Sequence, residues 1–382
     1  MTYKKYLKYK KSCIKYYLDK INRKKDLAIR EGIRYNQMDT NKKDKEKIFI
    51  LKTNVKSIIS PILEHIRYQI LREIKDKLKN MIETQKSYYN SNKNLYQLVD
   101  EIISRWLFVQ YSNNRNQFDP VLPFDAINTE QIQTDLKILF GIKDVNHLKK
   151  LNLPQKFNDA VQKIKKYELS GKFSHDNKNI KFILEDKNDK VYIKVNNIKY
   201  KTFYLRKDLY EKISKKYTGN KDEMVKYIYC LIFRYYTLSS HNNQLSLQPK
   251  IFDKLLNQYS IDMELFASTI NNNLPKYCSA FPDIESKFGS SGSFFNYDLP
   301  SGKYFINHPF GENIIDLMAQ KVINELDKDK KLLFLITIPV WDIEGLEYVK
   351  KFSKNKVKIK SELYPPYRGF NQLKDSKYLK FK

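Results

Sequence analysis

Apolar positions follow a helical period over the first 170 or so residues of the chain, and the period changes near residue 180. Ile58, Ile59, Ile62, Leu63, Ile66, Ile70, Leu71 and Ile74 recur at three- and four-residue steps up to the charged run around Lys79. Ser60-Pro61 suits the first turn of the helix they predict, with Ile58 and Ile59 just before it. A second helix is predicted over Leu95–Val109, with Trp106 on its apolar side. The tract from Gln117 to Pro123 breaks the pattern and reads as a loop. Helical spacing returns at Thr129–Leu139 and Pro154–Tyr167. Then come three short β-branched and aromatic runs, Lys181–Leu184, Val191–Val195 and Ile198–Tyr200. Lys187-Asn188-Asp189 and Asn196-Asn197 separate them as hairpin turns, so a small antiparallel meander is predicted at about 180–205, ahead of a helix at 221–238.

From residue 221 the pattern alternates strands with helices, an α/β arrangement. Predicted strands are Asp262–Ala267, a short one near Cys278–Phe281, Lys303–Ile306, Leu332–Ile338, Lys356–Ile359 and Tyr378–Lys382. Leu332–Ile338 is almost continuously apolar, as for a central strand covered on both faces. Ligands of such sheets sit beyond the carboxyl ends of the strands. That rule predicts Ala267–Asn271, Phe281–Asp283, Asn307–Phe310 and Pro339–Trp341 around one crevice.

Asn307-His308-Pro309-Phe310 carries the most specific chemistry. It follows a predicted strand and precedes a helix-like run from Glu312 to Leu326. The lone pair of an exocyclic amine such as adenine N6 is delocalised into its ring, which makes it a poor nucleophile. The Asn307 side-chain oxygen and the His308 backbone carbonyl suit hydrogen bonds from that amine, returning electron density to nitrogen and aiming its lone pair. Phe310 suits stacking on the base, a contact worth about 1–3 kcal/mol. A loop with a Pro and a buried Phe is the plainer reading of the same four residues.

Leu265–Asn271, Tyr277–Asp283, Phe288–Phe295, Asn307–Glu312 and Ile338–Trp341 form an ordered series around that motif. In order and spacing it resembles the cap-specific adenosine N6-methyltransferases, the family of the phosphorylated-CTD-interacting factor, over roughly residues 222–345. The resemblance implies a class I (Rossmann-like) methyltransferase domain preceded by a mainly helical domain. It also implies S-adenosylmethionine as donor and, as substrate, N6 of the 2′-O-methyladenosine next to the m7G cap of an mRNA. On this basis residues 221–382 are the expected methyltransferase domain, and residues 1–220 a basic RNA-binding domain containing the meander. Phe266, Ala267, Ser268 and Asn271 are expected at the methionine part of the donor, with Phe281 beside them and Asp283 on a ribose hydroxyl. Glu312 either contacts the donor or simply benefits from its helix N-terminus. Trp341 walls the base pocket or belongs to the core. No GxGxxG fingerprint suggests a nicotinamide or flavin. His308 departs from the family's Asn-Pro-Pro-Phe. It keeps the backbone carbonyl but gives up the locked φ, which leaves open a catalytically silent cap- or RNA-binding paralogue. An N6-adenine methyltransferase acting on other RNA or on DNA is the further alternative.

Composition fits a polyanionic partner. Lys and Arg number 71 against 43 Asp and Glu, a formal net charge of +28, with 29 Tyr and 22 Phe. Cations interleaved with aromatics suit unpaired RNA, although Lys, Asn, Ile and Tyr are also what an AT-rich genome enriches, and a viral or protist source is expected on that ground. Capped mRNA is therefore the expected partner. Trp106 and Trp341 are too far apart for a WW domain, so no WW-mediated polymerase docking is expected, and the basic amino end is expected to bind RNA instead. The carboxyl end reads as shorter than the family pattern. There is no run of 18 apolar residues, so no membrane span is expected, and the charged start does not read as a signal peptide. Three dispersed cysteines read as reduced thiols in an intracellular protein, nuclear or cytoplasmic, and five scattered histidines with no CxxC or HxxxH pairing predict no metal site.

Overall fold

In the computed structural model, residues 58–85, 95–113, 118–124, 127–142, 146–196, 202–238, 245–247, 249–309, 312–328, 330–337 and 367–368 are described. All belong to one unit, Ser57–Lys382. Its first helices are α1 (Pro61–Thr84), α2 (Leu95–Asn113), α3 (Glu130–Phe140), α4 (Asn146–Leu151), α5 (Leu153–Glu168) and α6 (Gly171–Lys178). Ser60 caps α1, its hydroxyl accepting from Ile62 N at 3.2 Å, and Pro61 takes the first turn. Gly141 ends α3 in the left-handed conformation (φ 66°), where a side chain would be strained. Trp106 is fully buried, and its indole Nε1 donates to the Asn128 carbonyl at 2.6 Å. No described helix is long and apolar enough to cross a membrane.

The meander forms with strands β1 (Phe182–Lys187), β2 (Lys190–Val195) and β3 (Phe203–Arg206), antiparallel throughout. Asn188 and Asp189 turn the first hairpin with φ 51° and 56°, the pair of positive angles a tight primed turn needs. The predicted run Ile198–Tyr200 lies outside the described residues, and the third described strand is Phe203–Arg206. Phe203 and Leu205 are the alternating apolar pair that reaches the core. Behind the sheet, Phe182 and Phe203 pack on Tyr229, Phe233 and Tyr236 of α8 (Met224–Leu238), which follows α7 (Lys207–Lys216).

The remaining elements are β4 (Leu245–Ser246), α9 (Pro249–Tyr259), β5 (Met263–Glu264), the single turn α10 (Pro282–Glu285), β6 (Gly302–Ile306), α11 (Glu312–Leu326), β7 (Leu332–Ile336) and β8 (Tyr367–Arg368). β4 pairs antiparallel with β8. β5, β6 and β7 form a parallel sheet. The first and second predicted strands are shorter than expected: β5 spans two residues, and Tyr277 contributes isolated parallel bridges to Glu264 and Ser290 in place of a strand at Cys278–Phe281. β7 also departs from its expectation. Among the described residues it pairs with β6, and its side chains are half-buried except Leu333, which is 44% exposed where a fully covered strand was expected. The predicted strands at Lys356–Ile359 and Tyr378–Lys382 lie outside the described residues.

A buried charge chain ties the helices to this sheet. Glu64 of α1 takes Arg67 Nη1 at 2.8 Å and Arg234 Nη2 at 2.6 Å, and Arg67 Nε reaches Asp119 at 3.0 Å. Arg234 Nη1 in turn meets Asp283 of α10. Burial alone would push Asp119 upward; Arg67 and the amides of Leu122 and Val121 hold its carboxyl below the ordinary value.

Candidate active site

Hydrogen bonds extend the parallel sheet beyond its regular strands. Ser279 N donates to Gly292 O (2.8 Å), Cys278 N to Glu264 O (2.8 Å), Leu265 N to Phe305 O (2.8 Å) and Thr337 N to Ile306 O (2.9 Å). Five parallel segments therefore lie in the spatial order 290–292, 277–279, 263–267, 302–306, 332–336. The chain steps outward one way across the first three and then returns to continue on the other side of 263–267. Such a reversal opens a crevice at the carboxyl ends of the two strands that flank it. Those ends are Phe266–Ser268 and Asn307–Pro309.

Asn307 and Pro309 are half-buried there, and His308 is 2% exposed. His308 Nδ1 lies 2.8 Å from the Pro309 carbonyl, which can only accept, so the ring carries its proton on Nδ1. Burial pushes the imidazole down to about 4, leaving it neutral near pH 7. Its ring meets Phe266 edge-on at 6.2 Å, and Phe266 also contacts Phe294 at 5.0 Å and Phe295 at 5.7 Å. The rim on this side is thus aromatic.

The turn after β5 is closed on itself and gripped from three directions. Asn271 Oδ1 accepts from Ser268 N at 2.7 Å and from Ser268 Oγ at 2.9 Å. Glu264 accepts from the amides of Asn273 and Leu274, both at 2.6 Å. Lys212 and Lys216 of α7 donate to the Asn272 carbonyl and side-chain oxygens at 2.7 and 2.6 Å. Burial, then the neighbouring charge of Lys212, lowers Lys216 to about 8. Glu285, fully buried on α10, accepts from Thr269 N at 2.8 Å, Tyr235 Oη at 2.9 Å and Phe281 N at 3.3 Å. Burial raises its carboxyl pKa.

The sequence-derived site residues separate into two groups in space. Phe266, Ala267, Ser268 and Asn271 stand at the crevice with Asn307, His308 and Pro309, and Asp283 stays 18% exposed. Phe281 does not line the crevice: it has no exposure, packs on Tyr111 and Tyr235, and lies 5.2 Å from the Arg234 guanidinium, so it supports from below. Phe310, Trp341 and the Glu312 side chain lie outside the described residues. Sequence reasoning missed Glu285, and it placed Phe288–Phe295 in the resembling series without reading a sheet edge there. Gly292 was the available signal there: its φ of 93° is hard for any side chain, and it accepts the strand-like bond from Ser279.

Comparison with known proteins bears on this region. A family model described as the phosphorylated CTD interacting factor 1 WW domain matches residues 205–369. Two curated relatives, from Mus musculus and Homo sapiens, are each named mRNA (2'-O-methyladenosine-N(6)-)-methyltransferase and are 32% identical over 121 residues, 30% of this chain. The findings support the phosphorylated-CTD-interacting-factor family. The chain spans 17% of the length of the curated relatives it matches. The match corrects one expectation, because the matching model is named for a WW domain, against the reading that WW-mediated docking is absent. Tryptophan spacing tests for one small module and says nothing of so long a stretch. Both relatives are mammalian, and nothing in them supports a viral or protist source.

Proposed function

We propose that this chain is an S-adenosylmethionine-dependent RNA methyltransferase acting on N6 of the 2′-O-methyladenosine beside an mRNA cap. The observation that carries the reading is Asn307-His308-Pro309 at the carboxyl end of β6, facing the aromatic rim across the reversal point of a parallel sheet. The order of the five segments is that of a doubly wound nucleotide-binding sheet and supports a class I methyltransferase fold. Residues 221–382 would form that domain, and residues 1–220 the RNA-binding one.

The residues present fit a sulfonium donor: the half-buried rings of Phe266 and Phe295 meet at the crevice, backed by buried Phe294, and aromatic faces attract cations. When bound, S-adenosylmethionine supplies a methyl group on positively charged sulfur. The turn at Phe266–Asn271 would hold its methionine part, and Asp283, kept in place by Arg234, would accept from a ribose hydroxyl. The Asn307 amide oxygen and the His308 carbonyl would take hydrogen bonds from the target amine, fixing its lone pair in line with the methyl. Phe310 would stack on the base, with Trp341 as its wall and Glu312 near the donor. His308 is neutral and bound to Pro309 through Nδ1, which favours a structural role over general-base chemistry. The proton leaves the amine only after methylation, when water suffices to take it.

The test is methyl transfer from labelled S-adenosylmethionine to short capped RNAs starting with 2′-O-methyladenosine, beside uncapped RNAs and Asn307→Ala. Cap-dependent incorporation that disappears in the variant is expected. Capped RNA bound without incorporation would instead favour a silent binding subunit, and incorporation indifferent to the cap an enzyme for other adenines.

A further inference from the structure

The meander presents a second surface, nearly all of it ahead of the stretch that the family model matches, which begins at residue 205 within β3. Its inner face carries Phe182, Ile193, Phe203 and Leu205 into the core. By alternation, the register sets the outer face in rows across the three strands. The middle row runs Glu185, Tyr192, Tyr204, and the next runs Lys187, Lys190, Arg206. Ile183, opposite Lys194 in the remaining row, is 48% exposed. The two tyrosines are half-buried neighbours with ring centroids 5.4 Å apart.

We propose that this outer face is a binding platform for a single-stranded segment of RNA, with bases on the Tyr192–Tyr204 row and phosphates along the Lys187–Lys190–Arg206 row. Three features converge on that occupant. Like charges set directly opposite one another in a sheet are destabilising, and here three cations share one row. A polyanion laid across them relieves that repulsion. Local acids meet it only in part: Lys187 pairs with Glu185 and Arg206 with Asp208, whereas Lys190 has the Tyr204 ring as its partner, its ammonium 4.8 Å from the centroid. The Lys190 side chain is long enough to swing to a phosphate and free that ring face. Adjacent aromatics flanked by cations on an open sheet are also the general form in which proteins hold unpaired bases, because every base offers a π-face. The net charge of +28 supplies the long-range attraction.

The inference rests on the reading that the substrate is RNA, and extends it by naming where the transcript body runs. The test is fluorescence anisotropy of the full chain with a labelled, uncapped single-stranded RNA and its duplex, without methyl donor, over a salt series. Tyr192→Phe/Tyr204→Phe should bind as the wild type does. Tyr192→Leu/Tyr204→Leu keeps apolar bulk but removes the π-faces, and should weaken single-strand binding about tenfold per tyrosine. Lys190→Gln should weaken it further and flatten the salt slope. Near-ultraviolet irradiation of the same RNA carrying 4-thiouridine should crosslink it to peptides containing Tyr192 or Tyr204. Leucine variants that bind as tightly as the wild type, or crosslinks confined to other segments, would overturn the proposal; the first result would leave a protein partner as the better occupant of this face. Thermal melts of each variant identify any that fail to fold, and the crosslink on the wild type needs no variant. Neither readout uses cap or donor, so failure here leaves the methyl-transfer proposal standing, and failure of methyl transfer leaves this one.

Discussion

Arg234 holds Asp283 with one nitrogen: Nη1 donates to both carboxylate oxygens, at 2.7 and 2.8 Å. The same guanidinium reaches Glu64 on α1 through Nε and Nη2, so helical unit and crevice share one cation. Arg234→Met should therefore cost about 3–5 kcal/mol, because it removes the cation that holds Asp283 and leaves buried Glu64 with Arg67 alone. Arg234→Lys should fold better yet still loosen Asp283, since an ammonium lacks the planar fork. Urea denaturation measures the first effect. A raised Kd for S-adenosylmethionine in the Lys variant, by calorimetry, measures the second. Unchanged donor affinity would count against Asp283 as a donor contact.

Asn307→Ala should abolish methyl transfer while changing stability by less than about 1 kcal/mol, as for a half-buried residue that fills no core position. Paired activity and melting measurements decide it. Loss of activity together with a large loss of stability would mean that the side chain props up the turn instead of serving the amine.

The helical period made α1, α2, α3, α5 and α11 legible nearly to their ends, because each carries a long apolar stripe and several carry a cap or breaker, such as Ser60-Pro61 or Gly141. α4, α6, α7 and α9 were not read: the first two span only six and eight residues, too short for periodicity to register, and no pattern was assigned to the other two. The sheet was harder. Its extended segments at 263–267, 277–279 and 290–292 are held largely by single bonds between irregular backbone, which no alternation of side chains announces. The crevice was legible through Asn307-His308-Pro309 because strand, turn and breaker coincide there. The residues holding it in place were not. Glu285 and Arg234 are charged residues that look like surface in a string of letters and become buried partners only once distant helices meet.

Glu285→Gln tests that hidden support. Both carboxylate oxygens act only as acceptors, one from Thr269 and the other from Tyr235 and Phe281. An amide presents N–H where one set needs an acceptor, leaving donors unsatisfied at a cost of about 1–3 kcal/mol. Because Thr269 lies in the turn after β5, donor affinity should fall as well, read by calorimetry with S-adenosylmethionine. Destabilisation with donor affinity intact would confine Glu285 to the core.

His308→Pro separates the two readings of the departure at that position. If the imidazole serves only as a looser proline, the variant keeps or gains activity on capped RNA; a collapse would give the ring its own role. Stability supplies an independent reading. Folded, His308 stays neutral down to about pH 4, since burial disfavours its charge. Unfolded, an imidazole takes up its proton below about pH 6.5. Between those values the unfolded state binds more protons, so the wild type loses stability as pH falls through this window and keeps it above pH 7. The proline variant lacks that proton. Relative to it, the wild type should lose roughly 2–3 kcal/mol between pH 7.5 and 4.5, measured from urea midpoints at the two values. Parallel curves for both proteins would mean that the ring is open to water when folded, and the case for a buried, neutral His308 beside the amine site would fall.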